Sequence, residues 1–349
     1  MKFLRMLLAP IALAALAFGA SACGDDDSDS TDATPSGEGG ETITVYSGRS
    51  ESLVKPLFEQ FTKDTGIKVK VKYGDTAELA ALIAEEGSKS PADVFFAQDA
   101  GALGALQATG AFEKLADSVT ARVPSAYRAT DGSWVGVSGR ARVIVYNPKL
   151  VQESQLPTSV RDLTSAAWKG KVGWAPTNGS FQAFVTGLRE NEGEAGAKAW
   201  LEGMLKNDVR SYQDNKAIVS AVAAGEIQLG LVNHYYLYGF LQDQGEAFNA
   251  RNHYTAAGDP GSLVNVAGAG ILKSAPNKAG AGKLVEYLLG ESAQKYFSDQ
   301  TFEYPLVSGI AADSRLKPLA ELKPPALDLA DLQDLQGTLA LLRSAGALK

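Results

Sequence analysis

Hydrophobic and polar positions along residues 42–97 follow two different periods. A β-branched run at 42–46 predicts a strand, and apolar residues at helical spacing follow over 53–61, closed by Gly66. Residues 67–73 alternate at period two, residues 77–86 return to helical spacing, and 92–97 form a continuous apolar run. This strand–helix succession predicts parallel strands that are covered by helices on both faces.

The rest of the chain continues the alternation. Strands are predicted at 134–136, 141–147, 171–174, 227–232 and 262–272, and helices at 181–188, 197–205, 217–224 and 278–298. Residues 42–349 are numerous enough for two compact domains. We therefore expect an α/β fold of two lobes, with the chain crossing between the lobes more than once.

The N-terminus has the pattern of a secretory signal over residues 1–22. Lys2 and Arg5 precede a short apolar stretch at 6–18, and small residues then lead to Cys23, the single cysteine of the chain. The residues around Cys23 resemble the processing box of bacterial lipoproteins, with Ala20 where the usual box has Leu. We expect a lipid anchor at Cys23 on the extracytoplasmic face of the cell membrane; the alternative is a conventionally secreted protein with a spare thiol.

Residues 23–41 then predict a disordered acidic tether, because no apolar residue larger than alanine follows Cys23 in this segment. The whole chain carries a net charge of −7. Seven of its 40 acidic residues lie in 24–41 and two of its 33 basic residues lie in the signal, so residues 42–349 have a net charge of −2. That balance offers no basic field for nucleic acid.

Two adjacent tyrosines, Tyr235 and Tyr236, follow the predicted strand at 227–232 and open an amphipathic stretch. A phenol ionises near pH 10, so it becomes a good ligand only beside a small, highly charged cation such as ferric iron. The alternative is a purely structural role, in which the tyrosines belong to an aromatic helix face that packs in the core. The dipeptide alone leaves both interpretations open.

Other chemistries have little support in the sequence. His234 and His253 lack zinc-type spacing, and we expect His234 to be a surface or hinge residue. Neither a Gly-x-Ser-x-Gly nucleophile motif nor a phosphate-binding Gly-x-x-x-x-Gly-Lys loop occurs. The sequence therefore does not predict an enzyme.

Several stretches together resemble class II periplasmic substrate-binding proteins of ferric-iron ABC importers. They are ITVYSGRSESL at 43–53, EEGSKSPADVFFAQD at 85–99, WVGVSGRARVIVYN at 134–147, GWAPTNGSFQAF at 173–184, GLVNHYYLYGF at 230–240 and EYPLVSG at 303–309. The resemblance implies a two-lobe type II periplasmic-binding-protein fold, in which each lobe is a mixed, mostly parallel sheet flanked by helices and the ligand lies in the cleft. We expect lobe 1 at 42–140 plus about 268–318, and lobe 2 at 141–267 plus about 319–349.

The resemblance implies that Tyr235 and Tyr236 are ferric ligands. In the best-known branch of the family a histidine and a glutamate of the first lobe complete the metal site. The corresponding positions here are Ser50 and Gln98, and neither is a strong ferric ligand. Asp99 and Glu51 lie next to them and are possible substitutes; the alternative role of Asp99 is a cap for the helix that follows it.

Family members often bind iron together with phosphate or carbonate. The positions that match the anion pocket are Asn178, Gly179, Ser180, Asn215 and Asn233, and the first three precede a predicted helix, whose N-terminal N–H groups attract anions. Arg140 is a candidate bidentate donor to the anion or, equally, one half of an inter-lobe salt bridge.

The resemblance implies a monomeric receptor that captures ferric iron and delivers it to an ABC permease by hinge closure. A receptor of the same fold for another solute, thiamine-like, polyamine-like or phosphate-like, remains an alternative that Ser50 and Gln98 favour. An extracellular α/β enzyme is a more distant alternative.

Overall fold

The computed structural model describes residues 41–327 and 329–349. The signal segment, Cys23 and all but the last residue of the tether lie outside the described residues. Over these residues the strands are β1 (Thr42–Ser47), β2 (Lys68–Tyr73), β3 (Val94–Ala97), β4 (Val135–Tyr146), β5 (Val172–Trp174), β6 (Arg210–Ser211), β7 (Leu229–Asn233), β8 (Arg251–His253), β9 (Val264–Ile271) and β10 (Tyr304–Pro305). The helices are α1 (Glu51–Thr65), α2 (Thr76–Glu86), α3 (Ala100–Ala108), α4 (Asp117–Thr120), α5 (Gly179–Lys206), α6 (Asn215–Ala224), α7 (Tyr235–Gln244), α8 (Lys278–Leu288), α9 (Glu291–Asp299) and α10 (Leu335–Ser344).

The strands form one curled mixed sheet in the order β2-β1-β3-β9-β4-β7-β5-β6. The β1, β2 and β3 strands pair in parallel, as do β5, β6 and β7. The two long strands β4 and β9 run antiparallel to each other and to their neighbours β7 and β3. The parallel pairs therefore lie on either side of an antiparallel centre.

Two sequence predictions need correction here. The strand pair at 134–136 and 141–147 is one continuous strand, β4, whose register shifts between Gly136 and Ser138. The long helix predicted at 278–298 is two helices, α8 and α9, because Gly290 leaves the helical conformation and caps the second one. The helices predicted at 181–188 and 197–205 are the two halves of α5, which kinks at Gly193, where φ is 73°.

Buried apolar side chains form three clusters. The first surrounds β1, β2 and β3 and includes Val135 and Val137 at the start of β4, whereas Ala141 and Val143 further along the same strand belong to the second, around α6 and α7. The third lies under α5. Thus β4 passes from one core to the next, and Arg140 stands at the crossing. Within the described residues, the structure contains no helix of the length and apolarity that a membrane span requires.

Candidate functional site

The tyrosine pair lies at the junction of a strand and a helix. Strand β7 ends at Asn233, His234 is the cap, and Tyr235 and Tyr236 are the first residues of α7. This junction allows neighbouring side chains to face the same way, with ring centroids 4.3 Å apart and planes inclined by 32°. Both side chains are buried, 2% and 6% exposed.

The surroundings of the Tyr236 phenol favour its protonated form. Burial, reinforced by the adjacent Tyr235 hydroxyl, raises the pKa of Tyr236 well above its usual value. Ionisation therefore requires a cation that compensates the desolvation. The pair also lies at the N-terminus of α7, where the helix dipole favours negative charge.

Arg49 is a member of this site that no sequence argument singled out, although it lies within the stretch 43–53. Its Nη1 donates to the Tyr235 hydroxyl at 3.5 Å, and its Nη2 forms a wholly buried ion pair with Glu303 at 2.6 Å. Ser138 and Thr301 donate to the same carboxylate at 2.9 Å each. Burial alone lowers the pKa of Arg49, but the charges of Glu303 and the tyrosine oxygens outweigh it, so the net pKa is raised.

The first-lobe candidates Ser50, Gln98 and Asp99 differ in their hydrogen bonds. Ser50 precedes α1, is only partly buried and makes no capping hydrogen bond. Gln98 is buried and donates from Nε2 to Asn178 Oδ1 at 3.2 Å, which brings it to the predicted anion pocket. Asp99 caps α3 by accepting the Ala102 N–H at 2.9 Å, which was its alternative role in the sequence analysis.

Asp99 also lies against the start of α5. A Cβ placed on Gly179 would come within 2.7 Å of Asp99 Oδ2, so only glycine fits there without rearrangement. Burial raises the pKa of Asp99 to about 6, while the Ala102 N–H and the charge of Arg140 oppose that shift.

The side-chain oxygen of Asn178 accepts hydrogen bonds from several polar residues around this loop. It caps α5 by accepting from the Ser180 N–H at 3.1 Å, and it also accepts from the Ser180 hydroxyl and from Asn215 Nδ2 at 3.3 Å. With Gln98, four predicted site residues therefore meet at one oxygen. The donors of Ser180 and Asn215 are used within the protein.

The remaining anion candidates project from the sheet. Arg140 of β4 donates from Nη2 to the Val266 carbonyl at 3.3 Å, while its Nε and Nη1 have no hydrogen-bond partner. The Nδ2 of Asn233 has none either, and both side chains are buried. In the described part of the chain Arg140 forms no ion pair within 4.0 Å, so the salt-bridge interpretation is not realised here.

Of the two positions expected for His234, surface or hinge, the surface position is wrong, because the side chain is wholly buried. Its Nδ1 lies 3.1 Å from the Ala141 N–H, which it accepts, and its Nε2 lies 2.8 Å from the Phe302 carbonyl, to which it donates. Burial lowers the pKa of His234 to about 4. The neutral ring therefore links the start of α7 by hydrogen bonds to β4 and to the segment before β10.

A cavity of about 210 Å³ opens beside the tyrosines. Lys216 of α6 and Ser52 of α1 line it and meet across it, with Lys216 Nζ donating to Ser52 Oγ at 2.9 Å. Helices α1 and α6, which are far apart in sequence, therefore both cover one side of the tyrosine pair.

The donor set is incomplete for a metal held by protein alone. Among residues 41–327 and 329–349, no three His, Cys, Asp or Glu side chains come together in a way that could hold a metal ion. Two phenol oxygens provide only part of a coordination sphere, so a cation bound to them needs water or an exogenous anion for the rest.

Comparison with known proteins identifies the family of this chain and several similar proteins. Residues 89–331 match the bacterial extracellular solute-binding protein family. The chain is 34% identical to the Fe(3+)-binding periplasmic protein of Serratia marcescens over 100% of both chains. Iron-bound HitA from Pseudomonas aeruginosa superposes with a TM-score of 0.84 at 38% identity, covering 88% of this chain and 99% of that one. Trichodesmium FutA (IdiA), in complex with iron and citrate ligands, gives a TM-score of 0.72 at 35% identity, covering 87% and 99%.

Proposed function

The chain belongs to the bacterial extracellular solute-binding proteins and has the two-lobe type II fold of the periplasmic ferric-binding proteins, and from that membership we propose that it captures ferric iron. The observation that carries the proposal is the buried pair of phenols, Tyr235 and Tyr236, at the start of α7. Their ring centroids lie 4.3 Å apart with planes inclined by 32°, so both phenols lie on the same side of the junction. The names of its relatives, which bind ferric iron, support the same assignment.

Ferric iron suits this pair because it is a hard trivalent cation. It stabilises the phenolate form of tyrosine, a side chain that is otherwise protonated at neutral pH, so binding is coupled to loss of the phenol protons. Arg49 provides a fixed positive charge beside Tyr235 and is itself neutralised by Glu303. Ser50, Gln98 and Asp99 are the residues of the first lobe that face the same site in the proposal.

A synergistic anion, phosphate or carbonate, completes the coordination sphere in this proposal. Arg140 and Asn233 support it because each is buried and retains N–H donors without a partner. The loop at Asn178, Gly179 and Ser180, with Asn215, provides the adjoining helix N-terminus. Citrate in the Trichodesmium structure shows that an organic anion accompanies iron in that relative.

Delivery to an ABC permease follows hinge closure of lobe 1 (42–140 plus about 268–318) on lobe 2 (141–267 plus about 319–349). Contacts between these segments support the closed form: Lys216 to Ser52, Gln98 to Asn178 and Arg49 to Tyr235. We propose that the receptor acts as a monomer, tethered to the membrane through lipidated Cys23. It binds and releases its cargo without chemical conversion, so it is not an enzyme.

A receptor for another small solute is the second candidate. The neutral Gln98, which donates to Asn178, favours it because the first lobe then presents no carboxylate at that position. A thiamine-like, polyamine-like or phosphate-like ligand would use the cleft without a metal.

A ferric titration followed by visible absorption distinguishes the two candidates. With ferric citrate as the probe, the wild type should develop a phenolate-to-iron charge-transfer band. Tyr235→Phe and Tyr236→Phe should each weaken the band and the affinity while leaving folding almost unchanged. Tyr238→Phe is the matched control, because Tyr238 lies in the same helix α7 but its hydroxyl donates to the Arg315 carbonyl. A wild type without the band, or variants that keep full colour and affinity, would favour the other solute.

A further inference from the structure

A second cavity, of about 290 Å³, lies between α2, the start of α5 and the C-terminal helix α10. Its lining shares no residue with the cavity beside the tyrosines. Helix α10 packs on two cores at this place, because Leu339 belongs to the first apolar cluster and Leu342 to the third. The cavity therefore lies where two cores of the protein meet.

One wall of this cavity is acidic. Asp75 and Glu78 of α2 both line it. Asp75 occupies the position that caps α2, yet its carboxylate makes no capping hydrogen bond. Partial burial and then the charge of Glu78 raise the pKa of Asp75. Two neighbouring carboxylates thus face the cavity, and a positively charged group between them would relieve their repulsion.

The side chain of Gln182 contributes a buried acceptor to the same cavity. Gln182 is 3% exposed, and its Nε2 donates to the carbonyls of Pro176 and Thr177 at 3.2 Å each. These two carbonyls fix the orientation of the amide, because an oxygen accepts only from a donor. The Oε1 of Gln182 is left without a donor, and a buried acceptor without a partner costs free energy. An N–H group of a ligand would satisfy it.

A cation completes the lining. Arg343, in the last turn of α10, is exposed and borders the same cavity. Over the part of the chain that the structure describes, none of Asp75, Glu78 and Arg343 forms an ion pair within 4.0 Å. A guanidinium is a planar fork that binds a carboxylate through two hydrogen bonds. The cavity thus offers acceptors for an ammonium group and donors for a carboxylate.

The remaining lining is apolar. It consists of Ala77 and Ala81 of α2, Leu339 of α10 and Leu348. A volume of about 290 Å³ is at the small end of the range for ligand-binding pockets, which begins near 300 Å³. The space therefore suits a molecule of amino-acid size with an aliphatic part.

We infer that this cavity binds a free amino acid with an apolar side chain. The ammonium group is held by Asp75, Glu78 and the Oε1 of Gln182. The carboxylate is held by Arg343, and the aliphatic part packs on Leu339. A simple amine or a simple carboxylate would use only one half of this lining. The site is separate from the tyrosine pair and goes beyond iron capture.

The position of the cavity couples it to hinge closure, and this part of the inference rests on the proposed function. In the proposed closure α2 belongs to lobe 1 and α5 to lobe 2. An amino acid held by both Asp75 and Gln182 bridges the lobes, so it binds the closed form more tightly than the open one. By linkage, the amino acid and ferric iron should then raise each other's affinity by the same factor.

The test is isothermal titration of the iron-free protein with L-leucine, isoamylamine and isocaproate in one buffer. Isoamylamine is leucine without its carboxylate, and isocaproate is leucine without its ammonium group. Leucine should bind saturably and about tenfold or more tightly than either analogue, because each analogue lacks one charged contact.

Two variants assign the two ends of the ligand. Asp75→Asn should weaken leucine binding about tenfold and leave isocaproate binding unchanged, whereas Arg343→Gln should weaken leucine binding similarly and leave isoamylamine binding unchanged. Glu85→Gln is the control for the first variant, since Glu85 lies on α2 outside the lining. Arg210→Gln is the control for the second, since Arg210 pairs with Glu226 on β6.

Glu78→Gln removes the other carboxylate of the acidic wall, so it keeps the test decisive if Asp75→Asn fails to fold. The inference is overturned if leucine shows no saturable binding or if the three probes bind equally. Leucine affinity that is unchanged in the carboxylate variants and in Arg343→Gln would overturn it as well, because the charges of the cavity would then serve only each other.

Repeating the leucine titration with the ferric-loaded protein tests the coupling. Leucine should bind more tightly there, by the factor through which leucine increases the affinity for iron. Equal leucine affinity in the two forms would overturn the coupling. Failure of the proposed function gives a different result, because no ferric charge-transfer band would then appear with or without leucine. The titration of the iron-free protein would still report on the cavity.

Discussion

Arg49 and Glu303 lie 254 residues apart in sequence and form a wholly buried ion pair with a nitrogen-to-oxygen distance of 2.6 Å. The pair joins the loop after β1 to the residue before β10. Because the other terminal nitrogen of Arg49 reaches the Tyr235 hydroxyl, the position of the tyrosine depends on an acid that does not touch it. Glu303 therefore has a positioning role in the site.

Glu303→Gln should destabilise the protein severely. It leaves the Arg49 charge buried without a counterion, and breaking one half of a buried pair costs about 3–5 kcal/mol. Urea unfolding measures the free energy. Glu51→Gln is the control, because the pair of Glu51 with Lys55 is exposed and should contribute less than about 1 kcal/mol. A loss for Glu303→Gln no larger than that of the control would refute the positioning role.

Asp99 should make the protein more stable at acidic pH. Its pKa is raised from 3.8 to about 6 in the folded state, so the neutral form is favoured by the fold. This contribution is fully present below pH 3.8 and is lost as pH rises through about 6. By linkage its size is of the order of 2–3 kcal/mol.

The comparison of wild type with Asp99→Asn isolates this contribution. Asparagine keeps the cap on α3 and does not ionise. Relative to the wild type, the variant should gain stability between pH 4 and pH 7, as measured by urea unfolding at each pH. A difference that stays constant with pH would show that Asp99 titrates normally.

The sequence predicted most elements of the fold because their patterns are local. The strand at 42–46 and the helix over 53–61 both appear in the structure as β1 and α1. The long helix at 278–298 was wrong because apolar spacing continues across Gly290, while the backbone there does not. The resemblance to periplasmic ferric-binding proteins is confirmed by a relative that matches the whole chain at 34% identity.

The site could be predicted only in part. The adjacent tyrosines are visible as a dipeptide, but the partner of Arg49 is not, because only tertiary folding brings Glu303 to it. The buried environment of His234 also depends on Phe302, which lies 68 residues away.

Ser180→Ala and Asn215→Ala should weaken iron binding in phosphate or carbonate buffer. Each variant removes a side-chain donor that Asn178 Oδ1 accepts in the iron-free protein, the Ser180 hydroxyl or Asn215 Nδ2. In the proposal the bound anion accepts that donor instead, and a hydrogen bond to a charged group contributes about 1.5–3 kcal/mol. Isothermal titration with ferric citrate gives the affinity. The iron-free stability should fall by only about 1 kcal/mol, the net value of a neutral hydrogen bond.

The same titration in buffer stripped of both anions provides the contrast. There the wild type should bind iron much more weakly, since Ser50 and Gln98 offer no strong ferric ligand. Equal affinity with and without the anion would instead identify a protein ligand, and Asp99 and Glu51 would be the first to test.

Cys23→Ser should abolish membrane attachment. Cys23 is the one cysteine of the chain, and it follows a short apolar segment and precedes the acidic tether. Because a hydroxyl cannot form the thioether that carries the lipid, the variant should appear in the medium or remain unprocessed. Detergent-phase partitioning of whole cells and medium measures this. Ser28→Ala, within the same tether, is the matched control and should partition with the wild type. If Cys23→Ser also partitions into the detergent phase, the anchor is not at Cys23, and the protein is held at the membrane by some other contact.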